Sequence, residues 1–214
     1  MTLVDLRDHA VAERADLLAV LKQLTPEQWN AASLCPQWRV RDVVAHVYSY
    51  DELSRADLAR SFVRARLNPT KVNAACLAPY ANHTPEQLLS LAQHCAHPRG
   101  LPAGFKGGIA LVDGMIHQQD IRRPLGLPRT IPPDRLRAAL EFAKTAPVIR
   151  GFWHRRGLRM VATDLDWATG SGPEVRGPGE AVLLAIAGRN AAVGELSGPG
   201  LAALGPRLEK ASAA

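Results

Sequence analysis

The chain has 214 residues, of which 47% are hydrophobic, 21% charged and 5% aromatic, a composition that excludes a disordered or fibrous polypeptide and allows a substantial buried core. No window approaches the ~18 to 20 consecutive apolar residues of a membrane span, and residues 1–16 carry acids where a signal peptide needs a basic flank. A cytoplasmic protein with no membrane contact is therefore expected.

The net charge of +6 is spread over scattered arginine pairs (Arg64/Arg66, Arg122/Arg123, Arg155/Arg156) without a basic run or an aromatic stacking motif. That distribution argues against nucleic acid and suits an anionic small molecule. Only five of the 26 basic residues are lysine, the bias of a high-GC bacterial genome. Cys35, Cys76 and Cys95 are odd in number and widely spaced, so free buried thiols are expected rather than disulfides or a thiolate zinc knuckle.

Leu6, Ala10, Leu17, Leu21 and Leu24 predict an amphipathic first helix within residues 2–24. Thr25-Pro26-Glu27 predicts a capped short helix ending near Trp29, because proline fits the first helical position. A second long helix starts after Trp38, with Val43, Val47, Tyr50, Ser54 and Leu58 on one face and His46 turned to its interior edge. Asn68-Pro69 breaks the pattern, and Thr84-Pro85-Glu86 repeats the cap ahead of a helix from Leu88 to Cys95. Ile109, Val112, Ile116 and Ile121 predict the fourth long helix, residues 106–125, stopped by Gly126 and Pro128. Four such helices pack most economically as an antiparallel bundle.

Beyond Pro132-Pro133 a helix is predicted from Asp134 to about Ala146. The periodicity then shifts to short strands at Gly157–Thr163 and Leu165–Ala168, followed by an apolar helix from Glu180 to Ala187. The expected organisation is a helical bundle over residues 1–146 and a small α/β lobe over 147–214, frayed at residues 211–214.

Asp113 and His117 are four residues apart in the fourth long helix, so both side chains share one face with Cβ atoms roughly 5–6 Å apart. An unpaired carboxylate against an apolar wall costs several kcal/mol, and a cation is its simplest partner. His46 would complete a set of two imidazoles and one carboxylate, suited to Zn²⁺ or another divalent metal with an open position. Asp120 could orient an imidazole through its second nitrogen. The same periodicity also fits His46 and His117 as core histidines with Asp113 exposed. His83, His94 and His97 lack ligand spacing, and Cys35, with no histidine near it in sequence, is read as an ordinary buried thiol.

The stretch from Trp29 through Ala32, Ser33, Cys35, Pro36, Trp38 and Val40-Arg41-Asp42-Val43-Val44-Ala45-His46 resembles the N-terminal signature of the mycothiol-dependent maleylpyruvate isomerase family. Asp113-x-x-x-His117-Gln118-Gln119-Asp120-Ile121-Arg122-Arg123-Pro124-Leu125-Gly126 resembles its second signature, and Val175-Arg176-Gly177-Pro178-Gly179-Glu180-Ala181 with Leu183–Gly188 a tail that many members carry. The resemblance implies an α+β fold, mostly α: a DinB-like up-and-down four-helix bundle followed by a small α/β lobe. It also implies a divalent metal, zinc by expectation, on His46, Asp113 and His117, although the acid of the characterised isomerase is glutamate; Asp120 stands behind them on its spacing alone.

The implied function is a mycothiol-using S-transferase or isomerase acting on a small electrophilic, anionic substrate, as a monomer or homodimer. Arg122, Arg123 and Arg189 are the candidates for holding the substrate's anion. Members differ in reaction, so a non-catalytic metal or small-molecule binding protein of the same fold is the alternative.

Overall fold

The computed structural model describes residues 4–66, 68–146, 149 and 151–212, and the chain divides into two compact units, Met1–Pro128 and Arg129–Ala214. In the first unit the helices are α1 (Arg7–Leu21), α2 (Pro26–Asn30), α3 (Val40–Ser49), α4 (Arg55–Arg64), α5 (Pro69–Leu77), α6 (Pro85–His94) and α7 (Gly108–Arg122), with a 3₁₀ turn at Ala78–Tyr80. Helices α1 and α3 each pack against both α6 and α7, which closes the four-helix bundle. Leu17 and Leu21, Val43, Val44, Val47 and Tyr48, Leu88 and Leu91, and Ile121 meet in its core. Each buried Val or Leu there contributes about 1.5–3 kcal/mol.

The caps follow the sequence. Thr25 Oγ1 accepts from the Gln28 amide at 3.3 Å while Gln28 Oε1 accepts from the Thr25 amide at 3.0 Å, and Thr84 with Gln87 repeats this reciprocal pair. Gly107 caps α7 with φ +89°, and a Cβ there would stand 2.9 Å from Arg7 Cα, so both conformation and space require glycine. Gly114 lets α7 approach α1, since a Cβ would already lie 3.3 Å from Glu13 Cγ.

The second long helix does not continue to Leu58. It stops at Ser49 because Asp51 is drawn into the interior, where Arg14 holds it through two 2.8 Å contacts and the Arg99 amide donates to it at 2.7 Å. Ser54 then starts α4, accepting from the Asp57 amide at 3.1 Å. Asn68-Pro69, expected as a break, is also a start: Asn68 Oδ1 caps α5 through the Lys71 amide at 3.1 Å. Ala65, Val72 and Cys76 with Tyr50, Leu53 and Phe62 form a separate small cluster.

The second unit contains α8 (Pro133–Ala143), α9 (Gly151–Arg155), β1 (Arg159–Ala162), β2 (Trp167–Thr169), β3 (Glu174–Gly177), α10 (Gly179–Ile186), a 3₁₀ turn at Asn190–Glu195 and α11 (Leu201–Ser212). The sheet order is β2-β1-β3. Met160 pairs antiparallel with Thr169 and parallel with Val175. Residues 181–186 of α10 are all fully buried, packed on α8, β1 and the 3₁₀ turn.

The unit boundary thus lies at residue 128 rather than 146, because Leu136, Ala139 and Leu140 bury a face of α8 in the second unit, where α8 packs on α10. Strand β3 and helix α11 were not expected. Helix α11 runs to Ser212, and of the residues expected to fray, 213 and 214 lie outside those described. Among the described residues no helix is long and apolar enough to cross a membrane, and all three cysteines are buried and form no disulfide.

Candidate metal centre

His46 lies in the last turn of α3, while Asp113 and His117 stand one turn apart on α7, which packs against α3. The capping of α3 by Arg39 and Asp42 fixes its start, so the register that buries Val43, Val44 and Val47 also turns His46 toward α7. The two imidazoles meet edge to face with ring centroids 4.9 Å apart. One ligand atom from each of His46, Asp113 and His117 lies within 4.8 Å of the other two. His117 Nε2 stands 3.4 Å from Asp113 Oδ1.

That separation suits a shared cation. Two ligand atoms about 2.0–2.1 Å from one ion at tetrahedral angles stand roughly 3.4 Å apart. The Asp113 side chain keeps 34% of its exposure whereas that of His117 keeps 9%, so the group is enclosed on the imidazole side and open at the carboxylate. Trp38 and Tyr50 flank His46, with ring centroids 5.0 and 5.6 Å away.

Behind His117 the arrangement is different. Asp120 Oδ2 lies 2.8 Å from His117 Nδ1, and Asp120 is fully buried. A carboxylate on Nδ1 selects the tautomer that leaves Nε2 to face Asp113 and His46, the outer support typical of metal-binding imidazoles. Burial opposes the charge on His117, yet the nearby Asp113 charge and hydrogen bonding to Asp113, Asp120 and Cys35 hold its pKa well above the ordinary 6.5. Burial likewise works to raise Asp113, but the His117 charge and hydrogen bond, helped by the His46 and Arg14 charges, bring it below 3.8. The two carboxylates on His117 create a demand for positive charge that a proton or a divalent cation can meet.

The structure therefore brings His46, Asp113 and His117 together with Asp120 behind them. Of the arginines proposed for the substrate, two stand at the end of α7 and the third lies in the second unit. Arg122 is buried and donates to Gln118 Oε1 at 2.9 Å and to the Pro128 carbonyl at 3.3 Å, so it braces the end of α7. Arg123 donates to Gln119 Oε1 at 2.9 Å, and Arg189 precedes the 3₁₀ turn of the second unit. His83 packs on Tyr80 instead of joining a ligand group.

Sequence reasoning missed Cys35. Its Sγ lies 3.2 Å from Asp120 Oδ2 and 3.9 Å from His117 Nδ1. With Cys35 and His117 82 positions apart, neither periodicity nor local spacing could reveal the contact. The only signal was the position of Cys35 within the same signature as His46.

The bundle with this inward-facing group has the DinB-like fold. The chain aligns with the crystal structure of a histidine-to-alanine mutant of mycothiol-dependent maleylpyruvate isomerase at a TM-score of 0.61 and 16% identity, covering 93% of this chain and 96% of the other. Residues 10–99 match the family model of the mycothiol maleylpyruvate isomerase N-terminal domain. Together the two likenesses support the resemblance to the mycothiol-dependent maleylpyruvate isomerase family that the signatures indicated. The matched segment contains His46 and Cys35, whereas Asp113 and His117 lie beyond it. No curated protein sequence matches the chain.

Proposed function

We propose that the protein is a metal-dependent enzyme that uses a low-molecular-weight thiol, mycothiol, to transfer or isomerise a small electrophilic, anionic substrate. The observation that carries this reading is the convergence of His46, Asp113 and His117 at a site open beside Asp113. The family match and the likeness to a mycothiol-dependent isomerase support the choice of thiol and reaction class. Two imidazoles and a carboxylate suit zinc among the divalent ions, and zinc is the ion proposed.

His46, Asp113 and His117 would hold the ion, which when bound lowers the pKa of a thiol and makes thiolate available at neutral pH. Asp120 keeps His117 in the tautomer with Nε2 free for this role. Trp38 and Tyr50 pack against the His46 ring and keep it across from His117. The partly exposed Asp113 marks the side from which thiol and electrophile approach.

The test is elemental analysis of the purified protein, followed by incubation of the zinc-loaded form with mycothiol and maleylpyruvate or other small electrophilic acids. About one metal per chain with thiol-dependent turnover is expected. Stoichiometric metal without turnover on any electrophile would favour a binding protein of the same fold, and absence of metal uptake would refute the site.

A further inference from the structure

Cys35 belongs to no step described so far, although it lies against the outer side of His117. Cys35, His117 and Asp120 could themselves be read as a second metal-ligating group, since all three are buried and their donor atoms are close. Their distances decide against it. His117 Nδ1 and Asp120 Oδ2 are 2.8 Å apart and Cys35 Sγ and Asp120 Oδ2 are 3.2 Å apart, both shorter than the roughly 3.4–3.8 Å between N, O and S ligands on one tetrahedral ion. They are hydrogen-bond distances. One carboxylate oxygen accepts from both the imidazole Nδ1–H and the thiol.

The loop carrying Cys35 is built to hold this contact. The Leu34 amide donates to the Asp120 carbonyl at 3.0 Å, and the Cys35 amide donates to Ser33 Oγ at 3.1 Å. Ser33 Oγ in turn donates to the Trp38 carbonyl at 2.8 Å, and Gln37 at φ +65° turns the chain back. One loop therefore reaches both imidazoles: Cys35 meets the Asp120–His117 pair, and Trp38 lies 5.0 Å from His46.

We propose that Cys35 is a positioning residue of the metal centre, donating its thiol hydrogen to Asp120 Oδ2 so that the carboxylate stays aimed at His117 Nδ1 and Nε2 stays aimed into the ligand group. This deepens the metal-site reading and rests on it. No bond is made or broken at sulfur, and Cys35 touches neither the ion nor the substrate.

The experiment titrates Co²⁺ into the metal-free protein and into Cys35→Ala, Cys35→Val, Cys35→Ser and Asp120→Asn, recording affinity, the cobalt spectrum and the His117 Nδ1–H proton resonance in the metal-free state. Asp120→Asn should weaken Co²⁺ binding ~10–100-fold, the usual effect of losing an outer partner. Cys35→Ala and the volume-matched Cys35→Val should weaken it ~3–10-fold, in keeping with the thiol's weaker donation, and both should shift the Nδ1–H resonance. Cys35→Ser, which keeps a donor, should return both readouts most of the way. Either donor-free variant suffices if the other fails to fold.

Unchanged affinity and an unchanged Nδ1–H resonance in a folded donor-free variant would overturn the proposal. So would a thiolate-to-cobalt charge-transfer band in the wild type that Cys35→Ala abolishes, since Cys35 would then be a ligand. If the wild type takes up no Co²⁺, the metal reading fails, and the resonance alone judges the contact: a shift in Cys35→Val reversed in Cys35→Ser supports it, and no shift overturns it.

Discussion

His117 uses its two ring nitrogens for two purposes, and the consequences of removing it can be separated. Truncation to alanine would abolish metal retention, but it would also leave the fully buried Asp120 without its imidazole donor, a loss of about 1–3 kcal/mol. His117→Gln keeps a side-chain donor in a similar volume, so we expect it to fold with a melting temperature near that of the metal-free wild type and to retain no metal and no thiol-dependent turnover. A His117→Gln protein with stoichiometric metal and full turnover would refute the ligand assignment.

The same residue sets the pH behaviour. Because the folded pKa of His117 is raised above 6.5, its contribution to the metal-free protein is complete below pH 6.5 and is lost as pH rises through the raised value. Asp113, held below 3.8, contributes fully above pH 3.8 and loses that contribution as pH falls through its depressed value. Thermal unfolding of the metal-free protein across pH should show this alkaline loss in the wild type and a flatter alkaline side in His117→Gln. Metal has to displace the His117 proton, so affinity should fall by about tenfold per pH unit below the folded imidazole pKa. Affinity that is flat between pH 6 and 8 would show that His117 is not a ligand.

At the scale of elements, the bundle depends on polar contacts that its hydrophobic pattern does not announce. Arg14 of α1 and Asp51, just past α3, form a two-pronged ion pair with side chains only 2% and 0% exposed, and Arg14 also donates to the Cys95 carbonyl beyond α6. Breaking such a pair from one side strands a buried charge and costs about 3–5 kcal/mol, whereas replacing both partners with apolar groups can be neutral. Asp51→Asn should therefore lower the melting temperature markedly, and Arg14→Met with Asp51→Leu should recover much of the loss. Equal destabilisation by the single and double variants would count against this account. The end of the second long helix has the same origin, since an apolar stripe that continues to Leu58 loses to a buried acid with three donors at residue 51.

At the scale of the whole molecule, the candidate metal ligands all lie in the first unit, and an unbroken run of fully buried apolar residues, 181–186, lies in α10 of the second. Hydrogen exchange should thus show slow α10 amides with or without metal, whereas added zinc should protect amides of α3 and α7. Protection that appeared in α10 and not in α3 or α7 would place the ion elsewhere.

The long helices, the caps and the pairing of Asp113 with His117 were readable from the sequence because each rests on local order. Apolar spacing of three and four, a Thr-Pro-Glu start, and an i,i+4 acid and histidine act within a turn or two of chain. His46 could be added because periodicity turned it inward and because it lies in a signature resembling a known family. The breaks, the division of α8 from the bundle and the partner of Cys35 were not readable, since each is decided by residues far apart in the chain. Asp51 ends a helix only because Arg14 lies 37 residues before it, and Cys35 meets Asp120 across 85 residues. Local pattern determines which groups can form a helix face or a ligand pair. Only packing decides which distant donor each buried carboxylate receives, because a buried charge takes whatever partner the folded chain brings within hydrogen-bond reach.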